Sequence, residues 1–287
     1  MSALAPASAF APAKINLFLH VGDKRADGYH EICSLAAFAD VGDTVHGEVA
    51  DTLSLTLTGP FAAALEGDDD NLVLRAAQAL QDWARDKGRK VDGARLTLHK
   101  VLPVASGIGG GSSDAAATLK LLNKIWRLGA GDADLAAIAA QLGADVPVCL
   151  RAQATLMQGI GEKLTPWPGQ DGIPALLVNP HIAVMTADVF RGLNARTGIT
   201  PPKHPDTGID WLAACGNDLE APARGPAPVI GDIVADLTAT PGCRLARMSG
   251  SGATCFALFG AQNEAASAAA AFQHRYPHWW VVPTTLR

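Results

Sequence analysis

The sequence of 287 residues lacks any apolar run approaching the roughly 18 residues that a membrane-spanning helix requires. Its first segment, MSALAPASAFAPAK, has no basic start followed by an apolar core, so it does not resemble a secretory signal peptide. Its five cysteines are odd in number, scattered and free of any CxxC pair, which argues against a disulfide framework or a zinc motif. We therefore expect a cytoplasmic protein with no membrane partner and with buried, reduced thiols.

The chain also lacks an excess of basic residues. Lys and Arg number 23 against 28 Asp and Glu, which gives a formal net charge of −5. Nucleic-acid binding favours a basic face, so we expect no nucleic-acid partner. Anionic small molecules are not excluded, because loops and helix dipoles can bind them locally in an acidic protein.

Clusters of potential metal ligands are few, and neither of the two candidates is persuasive. His274 and His278 are four residues apart, but Pro277 between them disrupts the helical spacing of a ligand pair. The run Asp68-Asp69-Asp70 is more typical of a solvated loop that favours the N-terminus of the following helix. The sequence therefore identifies no metal ligands.

Strand and helix patterns alternate in the first half of the chain. Residues 13–21 alternate in polarity and predict a half-buried strand, and residues 52–58 and 94–104 predict two more. Apolar residues at three- and four-residue spacing predict a helix over 71–83. A further helix begins at Asp132 or Asp134 and ends at Gly143, the position expected of a C-terminal cap.

The second half of the chain begins where glycine and proline become frequent. The segment GADVPVCL predicts a return to a strand, and the composition changes near residue 155. We therefore predict an N-terminal domain over 1–155 and a C-terminal domain over 156–287. The second half contains a strand at ALLVNP, a Pro/Gly-rich loop over 191–208 and a helix near 229–239. This mixture predicts two α+β layers.

A glycine-rich loop lies between a predicted strand and a predicted helix. Its residues are Pro103, Val104, Ala105, Ser106, Gly107, Ile108, Gly109, Gly110, Gly111, Ser112 and Ser113. Free backbone N–H groups and the positive end of the helix dipole favour an anion at such a junction, and glycine lets a phosphate approach the backbone. Ser112 and Ser113 are expected to add hydroxyl donors and to cap the helix.

The phosphate loop does not fit the two commonest patterns. A Walker loop requires GK[ST], and the segment GGGSS contains no lysine. A dinucleotide-binding fingerprint requires a third glycine where Ser112 stands, and the acidic residues that follow begin a helix.

The segment PVASGIGGGSSDAA closely resembles the PxxxGLGGGSSNAA phosphate loop of the GHMP kinases. Three further motifs of that family follow the same order along residues 11 to 259, namely APAKINLFLHVGDKRADGYHEI, LGADVPVCL and RMSGSGATCFALF. The resemblance implies an α+β, two-domain GHMP kinase fold, an ATP site at the glycine-rich loop and an active-site cleft between the domains. It also implies ATP as co-substrate and an accompanying Mg2+.

The resemblance implies roles for individual residues. Asp145 matches the catalytic aspartate, which accepts the proton of the substrate hydroxyl, and Lys14 matches the lysine that accompanies it. Because side chains alternate along a strand, Asn16 shares a face with Lys14 and places an amide beside a charge. Asn71 and Lys100 match positions near the adenine.

The segments KIN and RADGYH favour the branch of the family that phosphorylates the 2-hydroxyl of a cytidine diphosphate-linked methylerythritol, in non-mevalonate isoprenoid synthesis. In that branch Tyr29 and His30 match the pair that recognises cytosine, and Phe190 is a candidate for the other side of the ring. The resemblance implies that Asp145 also contacts the substrate. We expect a monomer or a weak homodimer.

Two alternative functions and the role of one residue remain open on the sequence. The chain could phosphorylate homoserine or a mevalonate derivative, although Tyr29 and His30 would then have no base to stack on. It could also be an inactive binding protein with this fold, which the retained Lys14, Asp145 and glycine loop oppose. Asp114, which stands where the family usually has Asn, could cap the helix, help to hold Mg2+ or point away.

The sequence also differs from the usual family pattern within the glycine loop, where Ala105 and Ser106 replace a more glycine-rich stretch. Near the C-terminus of the chain, Ser249 to Thr254 form a second glycine loop. That loop could complete the wall of the active site or simply form a hairpin that enters the CFALF strand.

Overall fold

The computed structural model describes residues 7–67, 70–168, 172–194, 196–201 and 209–287. Asp68 and Asp69 of the predicted solvated run lie outside these ranges, as do parts of the predicted 191–208 loop. All five cysteines are free thiols, and four of them are buried as predicted, whereas Cys243 is partly exposed. None of the helices in the described ranges combines the length and hydropathy that a membrane span needs.

The strands of the described residues are, in chain order, β1 (Ala7–Lys24), β2 (His30–Ala50), β3 (Ser54–Thr58), β4 (Gly93–His99), β5 (Thr155–Gly159), β6 (Lys163–Pro166), β7 (Ile173–Asn179), β8 (Cys243–Met248), β9 (Cys255–Phe259) and β10 (Trp280–Leu286). The α-helices are α1 (Leu72–Asp86), α2 (Gly110–Ile125), α3 (Asp132–Leu142), α4 (Val146–Arg151), α5 (Thr186–Arg191), α6 (Glu220–Ala223), α7 (Val229–Thr238) and α8 (Gln262–Arg275). Short 3-10 helices occupy Ala62–Leu65 and Asp210–Ala214. The predicted α+β class is confirmed.

The chain forms two compact units that are discontinuous in sequence. Unit 1 consists of the chain through Ala13, Gly42–Val104 and Gly109–Arg151, and unit 2 consists of Lys14–Val41, Ala105–Ile108 and Ala152–Arg287. The predicted domain boundary between residues 155 and 156 stays a prediction.

Unit 1 contains a short sheet and a layer of helices. The C-terminal part of β2 pairs antiparallel with β4, from Thr44 opposite His99 to Ala50 opposite Gly93, and β3 pairs with β4 in parallel. Helices α1, α2, α3 and α4 pack on one another. The apolar face of α1, which includes Val73 and Leu80, is buried, as its three- and four-residue spacing predicts.

Unit 2 contains a larger antiparallel arrangement. The N-terminal part of β2 pairs with β5, and β5 pairs with β6. Strand β7 lies between β10 and β9, and β9 pairs with β8. Helices α7 and α8 pack on these strands and cover an apolar core that includes Leu176, Ile233 and Phe272.

The prediction of a half-buried strand at 13–21 is wrong in one respect, because β1 is buried on both faces from Ala11 to Gly22. Its polar side chains form hydrogen bonds inside the protein. The His20 Nε2 atom accepts a hydrogen bond from the Gly216 N–H at 3.3 Å. Burial lowers the pKa of His20, the charge of Asp218 raises it, and the charge of Arg247 lowers it. The net effect is a lowered pKa, so the neutral ring is favoured.

The prediction of a strand over GADVPVCL is also wrong, because residues Val146–Arg151 form α4. The carbonyl of Asp145 accepts a hydrogen bond from the Cys149 N–H at 3.2 Å, which closes the first helical turn. Pro147 is tolerated there because the N–H groups of a first turn have no intrahelical acceptor. A short apolar run cannot distinguish a buried strand from a buried helix by its periodicity.

Candidate active site

The glycine loop connects β4 to α2 through backbone conformations that favour glycine. Ala105, Gly107 and Gly109 have φ values of 50°, 76° and 62°. Gly109 is the N-cap of α2, and no side chain caps the helix, so the predicted capping role of Ser112 and Ser113 is wrong. The uncapped N–H groups at this helix start, together with the helix dipole, favour an anion.

The hydroxyl of Ser113 makes its contacts within unit 1. It donates a hydrogen bond to the Pro12 carbonyl at 2.7 Å and lies 3.3 Å from the Sγ atom of Cys149. Ser113 is buried, whereas Ser112 is partly exposed and Gly111 is exposed. These contacts fix the first turn of α2 between β1 and α4.

A buried charge cluster lies directly beneath the glycine loop. The Lys100 ammonium is 2.5 Å from Asp43 Oδ2 and 2.8 Å from Asp114 Oδ2, and all three side chains are buried. Asp43 Oδ1 also accepts hydrogen bonds from the N–H groups of Val101 and Leu102, at 2.6 and 2.9 Å. Asp43 therefore holds the two residues that precede the loop as well as the ammonium.

The charges within this cluster do not balance, since two carboxylates face one ammonium. Burial raises the pKa of Asp114 to about 7, with Lys100 lowering it and Asp43 raising it. Burial alone lowers the pKa of Lys100, but the charges of Asp114 and Asp43 raise it overall. Asp114 neither caps α2 nor points away from the protein, and its Oδ1 atom is buried without a hydrogen-bond partner in the described part of the chain.

Gly110 and Gly111 lie close to neighbouring side chains of unit 1. A Cβ atom on Gly110 would stand 3.1 Å from the Lys100 Nζ atom, and one on Gly111 would stand 3.3 Å from Leu72 Cδ1. Asn71 precedes Leu72 and caps α1, where its Oδ1 accepts a hydrogen bond from the Val73 N–H at 3.0 Å. Asn71 and Lys100 thus anchor the elements that flank the start of α2.

Asp145 stands at the start of α4, where its backbone carbonyl accepts the first helical hydrogen bond. Its side chain is partly exposed, in contrast to the buried Val146 and Cys149 that follow it. The helix start therefore fixes the backbone of Asp145, and the residue stays partly exposed.

In unit 2, β1 places Lys14 and Asn16 in a buried environment, at 4% and 2% exposure. The Lys14 N–H donates to the Ile108 carbonyl at 2.9 Å, and the Asn16 N–H donates to Ser249 Oγ at 3.1 Å. The Asn16 Nδ2 atom donates to Ser34 Oγ at 2.8 Å. The Asn16 Oδ1 atom is buried and has no hydrogen-bond partner within the described ranges.

The second glycine loop, residues 249–254, packs on residues 105–108. The Ser249 hydroxyl donates to the Gly107 carbonyl at 3.1 Å, and the Thr254 N–H donates to the Ser106 carbonyl at 3.1 Å. A Cβ atom on Gly107 would lie 2.5 Å from the Ser249 carbonyl oxygen. Glycine is therefore required at 107 for two reasons, its positive φ and this close approach.

Tyr29 and His30 lie where the turn after β1 enters β2. Tyr29 is 59% exposed, an unusual position for a large aromatic side chain. The His30 ring stacks on Phe190, with centroids 5.5 Å apart and planes inclined by 27°. The His30 Nδ1 atom lies 3.2 Å from the Gly22 carbonyl, which can only accept, so Nδ1 carries the proton and Nε2 of the neutral ring is an acceptor.

Comparison with known proteins identifies the family of this chain. The GHMP kinases N terminal domain matches residues 71–153, and the GHMP kinases C terminal domain matches residues 209–278. The 4-diphosphocytidyl-2-C-methyl-D-erythritol kinase of Parvibaculum lavamentivorans is 51% identical over 284 residues, which cover 96% of this chain and 97% of the relative. This chain belongs to the GHMP kinase family.

Solved structures of the family have the same fold. A crystal structure of 4-(cytidine 5'-diphospho)-2C-methyl-D-erythritol kinase matches with a TM-score of 0.77 and 32% identity, covering 98% of this chain and 99% of that one. The homoserine kinase of Cytophaga hutchinsonii matches with a TM-score of 0.74 at 18% identity, covering 100% of this chain and 96% of that one, a likeness of fold alone. As a member of this family, the chain is an ATP-dependent kinase.

Within each unit of this GHMP kinase, the structure brings several predicted site residues together. Unit 1 gathers Lys100, the start of α2 and the Asn71 cap, and unit 2 gathers Lys14, Asn16 and residues 106–108. Sequence reasoning missed two residues that support them, Asp43 and Ser34. Ser249 was within a recognised glycine motif, whereas nothing near Asp43 or Ser34 in the sequence distinguishes either residue.

Proposed function

We propose that this kinase transfers the γ-phosphoryl group of ATP to the 2-hydroxyl of 4-diphosphocytidyl-2-C-methyl-D-erythritol, in non-mevalonate isoprenoid precursor synthesis. The observation that carries the substrate assignment is the 51% identity, over 96% of the chain, to a relative named for that substrate. The exposed Tyr29 beside the acceptor edge of His30 supports a nucleobase-containing substrate.

In the proposed reaction, the substrate hydroxyl oxygen forms a bond to the γ-phosphorus while the bond to the β-phosphate oxygen breaks, which releases ADP. The Asp145 carboxylate accepts the hydroxyl proton. The Lys14 ammonium stabilises negative charge on the attacking oxygen. Its burial supports this role, because electrostatic interactions strengthen where water is excluded.

The nucleotide is assigned to the glycine loop, Pro103 to Ser113, with Asn71 and Lys100 near the adenine. The left-handed residues of the loop and the uncapped start of α2 support phosphate binding. The buried contacts of Lys100 and Ser113 indicate that these two side chains contribute by holding the loop and the helix.

The cytosine is assigned to Tyr29 and His30. A neutral His30 with its proton on Nδ1 presents an acceptor at Nε2, which complements the exocyclic amino group of cytosine. A base inserted between the His30 and Phe190 rings would need a spacing of about 3.5 Å on each of its two faces. The two ring centroids are only 5.5 Å apart, which is too close to admit a base. Phe190 is therefore proposed to support the His30 ring, and Tyr29 to supply the stacking face.

Mg2+ is proposed to accompany the nucleotide. In the described ranges no group of three or more His, Cys, Asp or Glu side chains is arranged to hold a metal ion. This fits an ion that keeps several waters and takes its remaining oxygen ligands mainly from substrate phosphates. A monomeric or weakly dimeric state and a cytoplasmic location stay predictions.

The test is ADP release by the purified protein with 4-diphosphocytidyl-2-C-methyl-D-erythritol, beside homoserine, mevalonate and a reaction without alcohol. We expect turnover only with the cytidyl substrate. Turnover with homoserine or mevalonate instead would retain the kinase and refute the cytosine assignment. No turnover with any alcohol would favour a binding protein.

A further inference from the structure

The hydrogen bonds of Ser34 allow the side-chain amide of Asn16 only one orientation. The Ser34 Oγ atom lies 2.6 Å from the carbonyl oxygen of Phe18. A carbonyl oxygen can only accept a hydrogen bond, so the hydroxyl proton of Ser34 must point to Phe18.

The same oxygen of Ser34 lies 2.8 Å from the amide of Asn16. Because its single proton is already committed to Phe18, Ser34 Oγ can only accept from Asn16. The amide group that faces Ser34 must therefore be the NH2 group, and the carbonyl Oδ1 must face the other way.

The consequence is a fixed, unsatisfied acceptor inside unit 2. Asn16 Oδ1 is buried and has no partner among the residues that the structure describes. Buried polar atoms without partners are rare, because leaving a hydrogen bond unmade in a buried site is costly. A ligand group that donates a hydrogen bond would satisfy it, whereas a phosphate oxygen would be repelled.

We propose that Ser34 is a positioning residue that fixes the Asn16 amide so that Oδ1 accepts a hydrogen bond from a hydroxyl of the alcohol half of the substrate. The inference rests on the proposed function and deepens it. It assigns the alcohol half to Oδ1, and not the cytidine half, because Asn16 shares a strand face with Lys14, the residue proposed to act on the attacking oxygen.

The experiment compares Ser34→Ala with Ser34→Thr, which keeps the hydroxyl, and with Thr155→Val as the matched control. Thr155 is also buried, also donates to a backbone carbonyl (Gln153, 2.8 Å) and lies on β5, the strand that pairs with β2. Calorimetry measures the affinity of each variant for 4-diphosphocytidyl-2-C-methyl-D-erythritol and for cytidine diphosphate. NMR measures the exchange of the Asn16 side-chain NH2 protons with water in the ligand-free protein.

We expect Ser34→Ala to weaken binding of the full substrate about tenfold, the value of one net hydrogen bond, and to leave cytidine diphosphate binding unchanged. The Asn16 NH2 protons should exchange faster in Ser34→Ala alone, and Ser34→Thr and Thr155→Val should bind both ligands like the wild type.

Equal losses for both ligands, or unchanged binding of the full substrate, would overturn the inference. Failure of the wild type to bind or phosphorylate the cytidyl substrate would refute the proposed function instead. The NH2 exchange would still decide whether Ser34 holds the amide, and wild-type exchange in Ser34→Ala would overturn that pairing by itself.

Discussion

The hydroxyl of Ser249 donates a hydrogen bond to the carbonyl of Gly107 at 3.1 Å. The same oxygen accepts the N–H of Asn16 at 3.1 Å. One side chain of the second glycine loop therefore holds both a phosphate-loop residue and a residue of the strand proposed to bind the alcohol.

Replacing Ser249 should disturb both substrates together. Ser249→Ala leaves the Gly107 carbonyl and the Asn16 N–H without this partner, at a cost of about 1–3 kcal/mol in the free energy of unfolding. We expect KM to rise for ATP and for the alcohol, measured by steady-state kinetics beside urea unfolding. Ser251→Ala is the control, since the Ser251 hydroxyl pairs with the Thr186 hydroxyl at 2.8 Å. Unchanged KM values for both substrates in Ser249→Ala would contradict this coupling.

The charge imbalance beneath the loop predicts a pH dependence of stability. Burial raises the pKa of Asp114 from 3.8 to about 7, so between these values the folded protein binds more protons than the unfolded chain. The free energy of unfolding should therefore fall as pH rises through this window. Asp114→Asn should remove this penalty, and should stabilise the protein relative to the wild type at about pH 8 but not at about pH 4.

Asp43→Asn is the matched variant for that measurement and should have the opposite effect. Asp43 lies 2.5 Å from the Lys100 ammonium and also accepts two backbone N–H groups, so its loss leaves an under-compensated buried ammonium. We expect destabilisation by about 3–5 kcal/mol, the usual cost of breaking a buried ion pair. Thermal unfolding of both variants across pH provides the comparison. Similar effects of the two substitutions would argue against an excess carboxylate.

Asp145→Asn tests the proposed proton acceptor. The amide cannot accept the hydroxyl proton, so kcat should fall by about 10²–10⁴ while ATP affinity stays at the wild-type value. Asp132→Asn makes the same chemical change at the start of α3, on an exposed side chain, and should leave kcat unchanged. Near-normal turnover by Asp145→Asn would refute the role of proton acceptor.

Arg247 should be important for folding. Its buried guanidinium donates to the carbonyls of Leu17, Leu212 and Cys215, at 2.6, 3.0 and 2.6 Å. Arg247→Met leaves these acceptors unsatisfied and should cost at least about 3 kcal/mol in unfolding free energy. Arg244→Met on the same strand removes only an exposed ion pair and should change stability by less than about 1 kcal/mol. Equal losses in urea unfolding would show that the buried carbonyl contacts are not the source of stability.

The parts of the fold that sequence predicts well are those with a local cause. The helix over 71–83 and the glycine loop depend on spacing and on turn chemistry that a short window contains. The helix α4 was missed because its apolar run has no distinguishing period. Asp43 was missed because its partners lie far away in sequence, at Lys100 and Asp114.

Each unit is built from stretches that are far apart in the sequence, which delays its completion during synthesis on the ribosome. Phe38 exchanges both of its backbone hydrogen bonds with Arg287, at 2.7 and 2.9 Å. Residues 14–41 therefore emerge early but can complete their unit only after β10 has been translated. Until then, the apolar side chains of this segment depend on transient contacts or on chaperones to avoid aggregation.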